Sequence, residues 1–93
     1  MIQERRINSG KPIRLTRHAK EQSLERGASA KEIELAIRLG NREPARKNRE
    51  LCRYNFPFGQ AWHGKKYSVK QVAPLIVEDK QEIVVITVYT FYF

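Results

Sequence analysis

The sequence predicts an α+β domain, with two helices first and strands after, and three observations predict it. Ser29-Ala30-Lys31-Glu32 is a capping box that opens a helix. Beyond residue 48 the apolar spacing changes from helical recurrence to alternation. The final run, Ile83 to Tyr92, is apolar on both faces, as a strand inside a sheet or against another protein is. The expected architecture has two N-terminal helices on one face of a three- to four-stranded, mostly antiparallel sheet. The last strand is expected in its interior.

Residues 1–12 are polar, include Gly10 and Pro12, and read as a flexible basic arm ahead of a single domain at 13–93. Ile13–Leu15 reads as a short strand or as the entry to a helix. Thr16 suits an N-cap, no Gly or Pro interrupts Arg17 to Arg26, and Gly27 supplies a stop. This first helix is polar, with only a weak stripe of Leu15, His18, Ala19, Gln22 and Arg26. The second is amphipathic: Ile33, Ala36, Ile37 and Gly40 recur at helical spacing, Leu35 and Leu39 widen the face, and Gly40-Asn41 ends it.

Residues 41–48 read as a basic loop holding Pro44. Glu50 to Phe56 alternates, with Cys52, Tyr54 and Phe56 on one face and Leu51, Arg53 and Asn55 on the other. Pro57-Phe58-Gly59-Gln60 reads as a turn. Ala61 to Val69 reads as a strand irregular around Gly64, and Gln71 to Glu78 as another. Pro74 lacks the N–H a ladder needs and implies a bulge or an edge register. Asp79-Lys80-Gln81 is a tight connection to the last strand.

A chain of 93 residues with net charge +8 has one modest core and a polyanion as its natural partner. The charge is uneven. Residues 1–20 hold six Lys/Arg against one Glu, and residues 42–70 hold eight against two. Each cation that meets a phosphate releases a counterion, so nucleic acid is the expected partner. Cys52 is the single cysteine and His18 and His63 are the two histidines, which gives no thiolate metal site and no disulfide within the chain. No metal or cofactor is expected. No apolar run is long enough to cross a membrane and no signal peptide is visible, so the expected location is cytoplasmic.

Glycine-rich phosphate loops, paired-carboxylate motifs and nucleophile elbows are absent from the sequence. The residue types that remain, His, Arg, Lys and Tyr, suit metal-independent RNA cleavage. There the ribose 2′-OH attacks the adjacent phosphate and needs a base, an acid and cations. His18 is the candidate acid or base, with Arg26 two turns on to orient substrate or His18 itself. Arg53 and Lys70 are candidates to hold phosphate, and Tyr89 to donate a proton. Arg49, Lys65 and Lys66 are candidate nucleic-acid contacts, and Trp62 a stacking platform. Each has a structural alternative: His18 packed between helix and sheet or capping a turn, Trp62 in the core or an interface, Tyr89 in the core, the cations on a solvated face.

Two stretches resemble a family of small prokaryotic domains of unknown function. Thr16-Arg17-His18-Ala19 with Arg26-Gly27 resembles its opening helix, T-x-H-A-x-x-R-x-x-x-R-G-[IV], and Ile83 to Tyr89 resembles its closing strand. That family is similar to the RelE/ParE-like toxins within the barnase–EndoU–colicin–RelE ribonucleases. The resemblance implies two helices followed by a four-stranded antiparallel sheet. It also implies RNA cleavage as the toxin of a toxin–antitoxin pair, with RNA as the nucleic acid and an antitoxin-like protein as partner; the aromatic C-terminal strand itself offers a homodimer as the alternative partner. His18 and Arg26 match the helix motif, and Thr87 and Tyr89 the final strand. Gln22 stands where the pattern has Arg, and Ala28 where it has Ile or Val. A non-catalytic nucleic-acid-binding domain or a protein-interaction module of the same fold are the alternatives.

Overall fold

A computed structural model describes residues 10–93. The elements run β1 (Ile13–Leu15), α1 (Arg17–Arg26), α2 (Ala30–Leu39), β2 (Asn41–Ala45), β3 (Arg49–Trp62), β4 (Lys65–Glu78) and β5 (Ile83–Tyr92). They build one five-stranded sheet in the order β1-β5-β4-β3-β2. Only β1 and β5 pair in parallel; the other three pairings are antiparallel. The α+β class and the mostly antiparallel sheet agree with expectation. The strand count does not: there are five strands, and the parallel β1–β5 pair makes the sheet mixed, with Ile13–Leu15 taking the strand alternative.

The helix boundaries follow from their caps. The Thr16 hydroxyl accepts from the Ala19 amide, and Gly27 closes α1 in the left-handed region at φ 77°. At α2 both halves of the capping box form: Ser29 Oγ accepts from the Glu32 amide, and Glu32 Oε1 from the Ser29 amide. Gly40 ends α2 where a Cβ would overlap the carbonyls of Ala36 and Arg53.

The core lies between the helices and one sheet face. Ile33, Ala36 and Ile37 of α2 meet Cys52, Val72, Ile76, Val85 and Val88. Removing each such aliphatic side chain from water contributes roughly 1.5–3 kcal/mol. Helix α1 buries only Ala19 and Ser23. Its hold on the sheet is largely polar, as shown below.

The strand region departs from expectation in three places. Residues 41–45 form edge strand β2 rather than a loop; Pro44 is tolerated there because an edge leaves one side of the ladder unpaired. Pro57 to Gln60 is an irregularity within β3 rather than a turn between strands. The hairpin turn is instead His63-Gly64, both at positive φ (52° and 84°), as a two-residue primed turn requires. Consequently the two strands expected over 61–78 are largely one, β4, at the centre of the sheet. Pro74 sits buried in that central strand, so the bulge is the alternative realised. The register with β5 shifts between Leu75 and Ile76, and paired positions on β3 skip from Leu51 to Tyr54 opposite Pro74.

Residues 1–9 of the expected arm lie outside the described residues. Its last residues are tied down. Lys11 Nζ donates to Glu78 Oε2 (2.8 Å) and to the Asp79 carbonyl, and the Pro12 carbonyl accepts from the Ile83 amide. Glu78 also takes Arg42 Nη1 (2.6 Å), which reaches Glu50 as well (3.0 Å). Beneath this cluster lies Cys52, whose thiol burial pushes up to about 11. Burial alone would raise the Glu78 carboxyl, but the hydrogen bonds from Lys11 and Arg42 outweigh it and hold the group below its ordinary value.

A carboxyl with a depressed folded pKa contributes stability above its unfolded pKa and loses it as pH falls through the folded one. Urea midpoints should therefore drop as pH goes below about 4.5. Glu78→Gln should lower the midpoint at pH 7 and flatten that acid decline. Asp79, lowered by the amides of Glu82 and Gln81, supplies part of what remains. An unaltered acid slope in the variant would place the effect on other carboxyls.

Candidate nucleic-acid interface

Period-two alternation sends half of the sheet side chains away from the helices. Cross-strand register identifies the rows on this open face. Leu51 pairs with Leu75 and Leu75 with Thr87; Ala73 pairs with Tyr89; Asn55 pairs with Gln71 and Gln71 with Phe91. Tyr89 and Phe91 are 39% and 42% exposed, and Phe93 beyond them 56%. Such large exposed side chains side by side form an uncovered aromatic patch. The rings of Tyr89 and Phe91 stack at 6.4 Å between centroids.

Two arginines flank this patch. Arg53 donates from Nε to Glu43 (2.8 Å) and from Nη1 to Gln71 (3.0 Å), and its guanidinium lies 5.7 Å from the Phe91 ring centre. Arg26 reaches from the last turn of α1 over the outer edge of β5. It donates to the Val88 carbonyl (2.7 Å) and lies 5.5 Å from the Tyr89 ring centre. Beside Tyr89 a shallow depression of about 360 Å³ is lined by Leu51 and Leu75 and rimmed by Arg46, Arg49 and Glu43. Arg26, Arg49, Arg53 and Tyr89, from three distant stretches of sequence, thus share one surface.

Lys70 does not join them. It is 7% exposed on the helix side of β4, donates to the Gly27 carbonyl, and pairs with Glu32 at 2.8 Å. A phosphate cannot reach an ammonium so enclosed, and the sequence reading of Lys70 is corrected on that ground. Trp62 is likewise a packing residue. Its ring lies against Tyr92 (4.8 Å, planes 15° apart) and so close over Gly27 that a Cβ there would sit 2.7 Å from it. Burial raises the Tyr92 phenol; Glu32 adds to this and the Thr90 contact opposes it. Tyr92 donates to the Arg26 carbonyl (2.7 Å). Lys65 and Lys66 stand exposed at the tip of the β3–β4 hairpin, away from the aromatic patch, with Lys65 over Tyr67.

His18 is exposed on the first turn of α1, and among the described residues it has no hydrogen-bond partner. The alternative of a histidine packed against the sheet is thereby excluded. Its helical spacing sets it on the flank that carries Gln22 and Arg26, about 12 Å along the axis from Arg26. Gln22 Oε1 accepts from the Val88 amide (3.0 Å). An arginine there has only donors and could not make this bond.

Phe91, Asn55 and Gln71 were missed as site residues. Alternation puts Thr87, Tyr89 and Phe91 on one face of the last strand, but the register that sets Gln71 and Asn55 beside them cannot be read without knowing the pairing. Among the described residues no group of three His, Cys, Asp or Glu side chains is placed to hold a metal ion, and no helix is long and apolar enough to cross a membrane. Comparison with protein-family models, curated proteins and solved structures finds no match.

Removing the buried Lys70 ammonium leaves Glu32 short of its partner. Lys70→Ala should cost about 2–3 kcal/mol in urea unfolding. Lys65→Ala and Lys66→Ala should each stay within about 0.5 kcal/mol. Equal stability of all three variants would show that Lys70 is not structural.

Proposed function

We propose that this chain is an RNA-directed domain of ribonuclease-like build that holds a single-stranded segment on the open face of its sheet. The observation that carries the reading is the pairing of exposed rings with guanidinium groups: Arg26 at Tyr89 and Arg53 at Phe91. Single strands are bound by this combination, because bases stack on aromatic faces while cations follow the phosphates. Arginine suits the second task, since its planar fork meets two phosphate oxygens at once. The likeness of Thr16–Gly27 and Ile83–Tyr89 to a RelE-like family supports the same partner class.

Cleavage is the second reading, and exposed, unpartnered His18 favours it. In that reaction the 2′-oxygen bonds to phosphorus as its proton passes to a base, and the bond to the 5′-oxygen breaks as that oxygen takes a proton from an acid. His18, whose imidazole can both accept and donate a proton, fits either proton step. The arginines would stabilise the charge that grows on phosphorus. A toxin-type role with an antitoxin-like partner follows only if cleavage is found.

Binding of single-stranded RNA, read by fluorescence anisotropy, should weaken steeply with salt. Arg49→Ala with Arg53→Ala should flatten the slope, and Phe91→Ala should weaken binding by roughly 5- to 100-fold. No binding at low salt overturns the proposal. Should RNA be cut, cutting should continue in EDTA, leave 2′,3′-cyclic phosphate ends, and fall by on the order of 10²-fold in His18→Ala. Full activity in that variant would remove His18 from the chemistry.

A further inference from the structure

We infer that the row Asn55–Gln71–Phe91, together with Arg53, is a recognition site for a guanine base; this rests on reading the open face as an RNA surface. The three residues lie side by side across β3, β4 and β5, in register. Phe91 supplies a half-exposed ring for stacking, and the polar groups lie beside it where the edge of a stacked base falls.

The hydrogen bonds fix which polar atoms are offered. A guanidinium only donates, so the bond from Arg53 Nη1 sets Gln71 Oε1 towards it. That leaves Gln71 Nε2 turned to Asn55 Oδ1, at 2.8 Å. Asn55 Nδ2 then points away from this bond with both hydrogens uncommitted. Arg53 Nε is held by Glu43, which leaves Nη2 without a partner among the described residues. The unused groups are therefore mainly donors: Arg53 Nη2, Asn55 Nδ2 and the second hydrogen of Gln71 Nε2.

A donor-rich site selects an acceptor-rich edge. Guanine sets O6 and N7 together on one edge with no donor beside them, and paired donors from arginine meet that edge well. Adenine places a donor next to N7, and uracil places one between its two carbonyls. Cytosine also has adjacent acceptors, but next to an amino donor and on a smaller ring. Glu43 works through Arg53: by holding Nε, while Gln71 takes Nη1, it fixes the guanidinium beside the Phe91 ring and leaves Nη2 to a ligand. Arg53→Lys would retain charge and lose the fork.

The test is anisotropy at fixed salt with four fluorescent RNA hexamers, all uridine except for a single central G, A, C or U. The G hexamer should bind about 10-fold tighter than the others. Replacing its guanine by 7-deazaguanine, which lacks N7, should remove most of that gain, whereas hypoxanthine, which keeps O6 and N7, should preserve it. Gln71→Ala and Arg53→Lys should bring the four affinities together, with circular dichroism confirming that each variant is folded. Equal affinities in the parent protein, a preference for A or C, or indifference to 7-deazaguanine would overturn the guanine assignment while leaving RNA binding in place. Failure of every hexamer to bind at low salt would overturn both readings.

Discussion

The outer edge of β5 is the constraint on which much of this structure depends. Strand β1 pairs with β5 only as far as Val85, and beyond it the strand has no neighbour on that side. Unpaired backbone groups there would recruit another chain. Helix α1 closes the edge with side chains instead. The Thr16 hydroxyl donates to Ile86 O, Gln22 accepts from the Val88 amide, and Arg26 donates to Val88 O. In return Thr90 and Tyr92 donate to the Arg26 carbonyl at the end of the helix. This exchange explains how a helix with so little apolar surface stays docked. Ala19 and Ser23 are small enough to bring its axis close, and polar bonds supply the rest.

The same exchange explains the motif in α1. Thr16 caps the helix and bonds the strand, Ala19 sets the approach, Arg26 closes the edge, and Gly27 takes a left-handed turn beneath the Trp62 ring. Every one of these residues has a folding task. His18 is the exception, since the fold makes no visible use of it. These residues therefore speak mostly for a way of docking a helix on a strand edge, and only His18 is left over for chemistry. Arg26 belongs to both accounts: its backbone bond fixes the guanidinium where it also meets Tyr89.

What was legible in the sequence was whatever local chemistry determines. The caps at Thr16 and Ser29, the glycine stop at Gly27 and the two-faced Ile83–Tyr92 strand depend on a few neighbouring residues, and each was read correctly. Strand ends in the middle of the chain were not legible. Pro57 and Gly59 look like turn residues, yet the β3–β4 ladder carries on past them through a shifted register. His63, which has no strong turn signature, adopts positive φ beside Gly64 and stacks on Trp62 at 4.4 Å. Pro44 suggested a loop because an edge strand, unpaired on its outer side, tolerates the missing N–H as a loop does. The candidate site was legible in part: Arg53 and Tyr89 were found from residue type, but their neighbours are set by pairing over long sequence separations.

Charge shows the same limit. In the sequence, residues 42–70 form one basic block, and in the fold that block divides. Arg42 faces Glu50 and Glu78, and Lys70 faces Glu32, so both cations are matched on the helix side of the sheet. Their fields largely cancel at any distance beyond a few ångströms. Arg46 and Arg49 stand beside Tyr89, with Arg53 tethered to Glu43, whereas Lys65 and Lys66 occupy the far hairpin tip. The aromatic patch therefore borders a cluster of arginines rather than the whole positive charge of the block, and that cluster is what the proposed RNA strand would meet. Arginine's planar fork and weaker hydration make it the better partner for phosphate and ring together, and it is arginine that the fold leaves on this face.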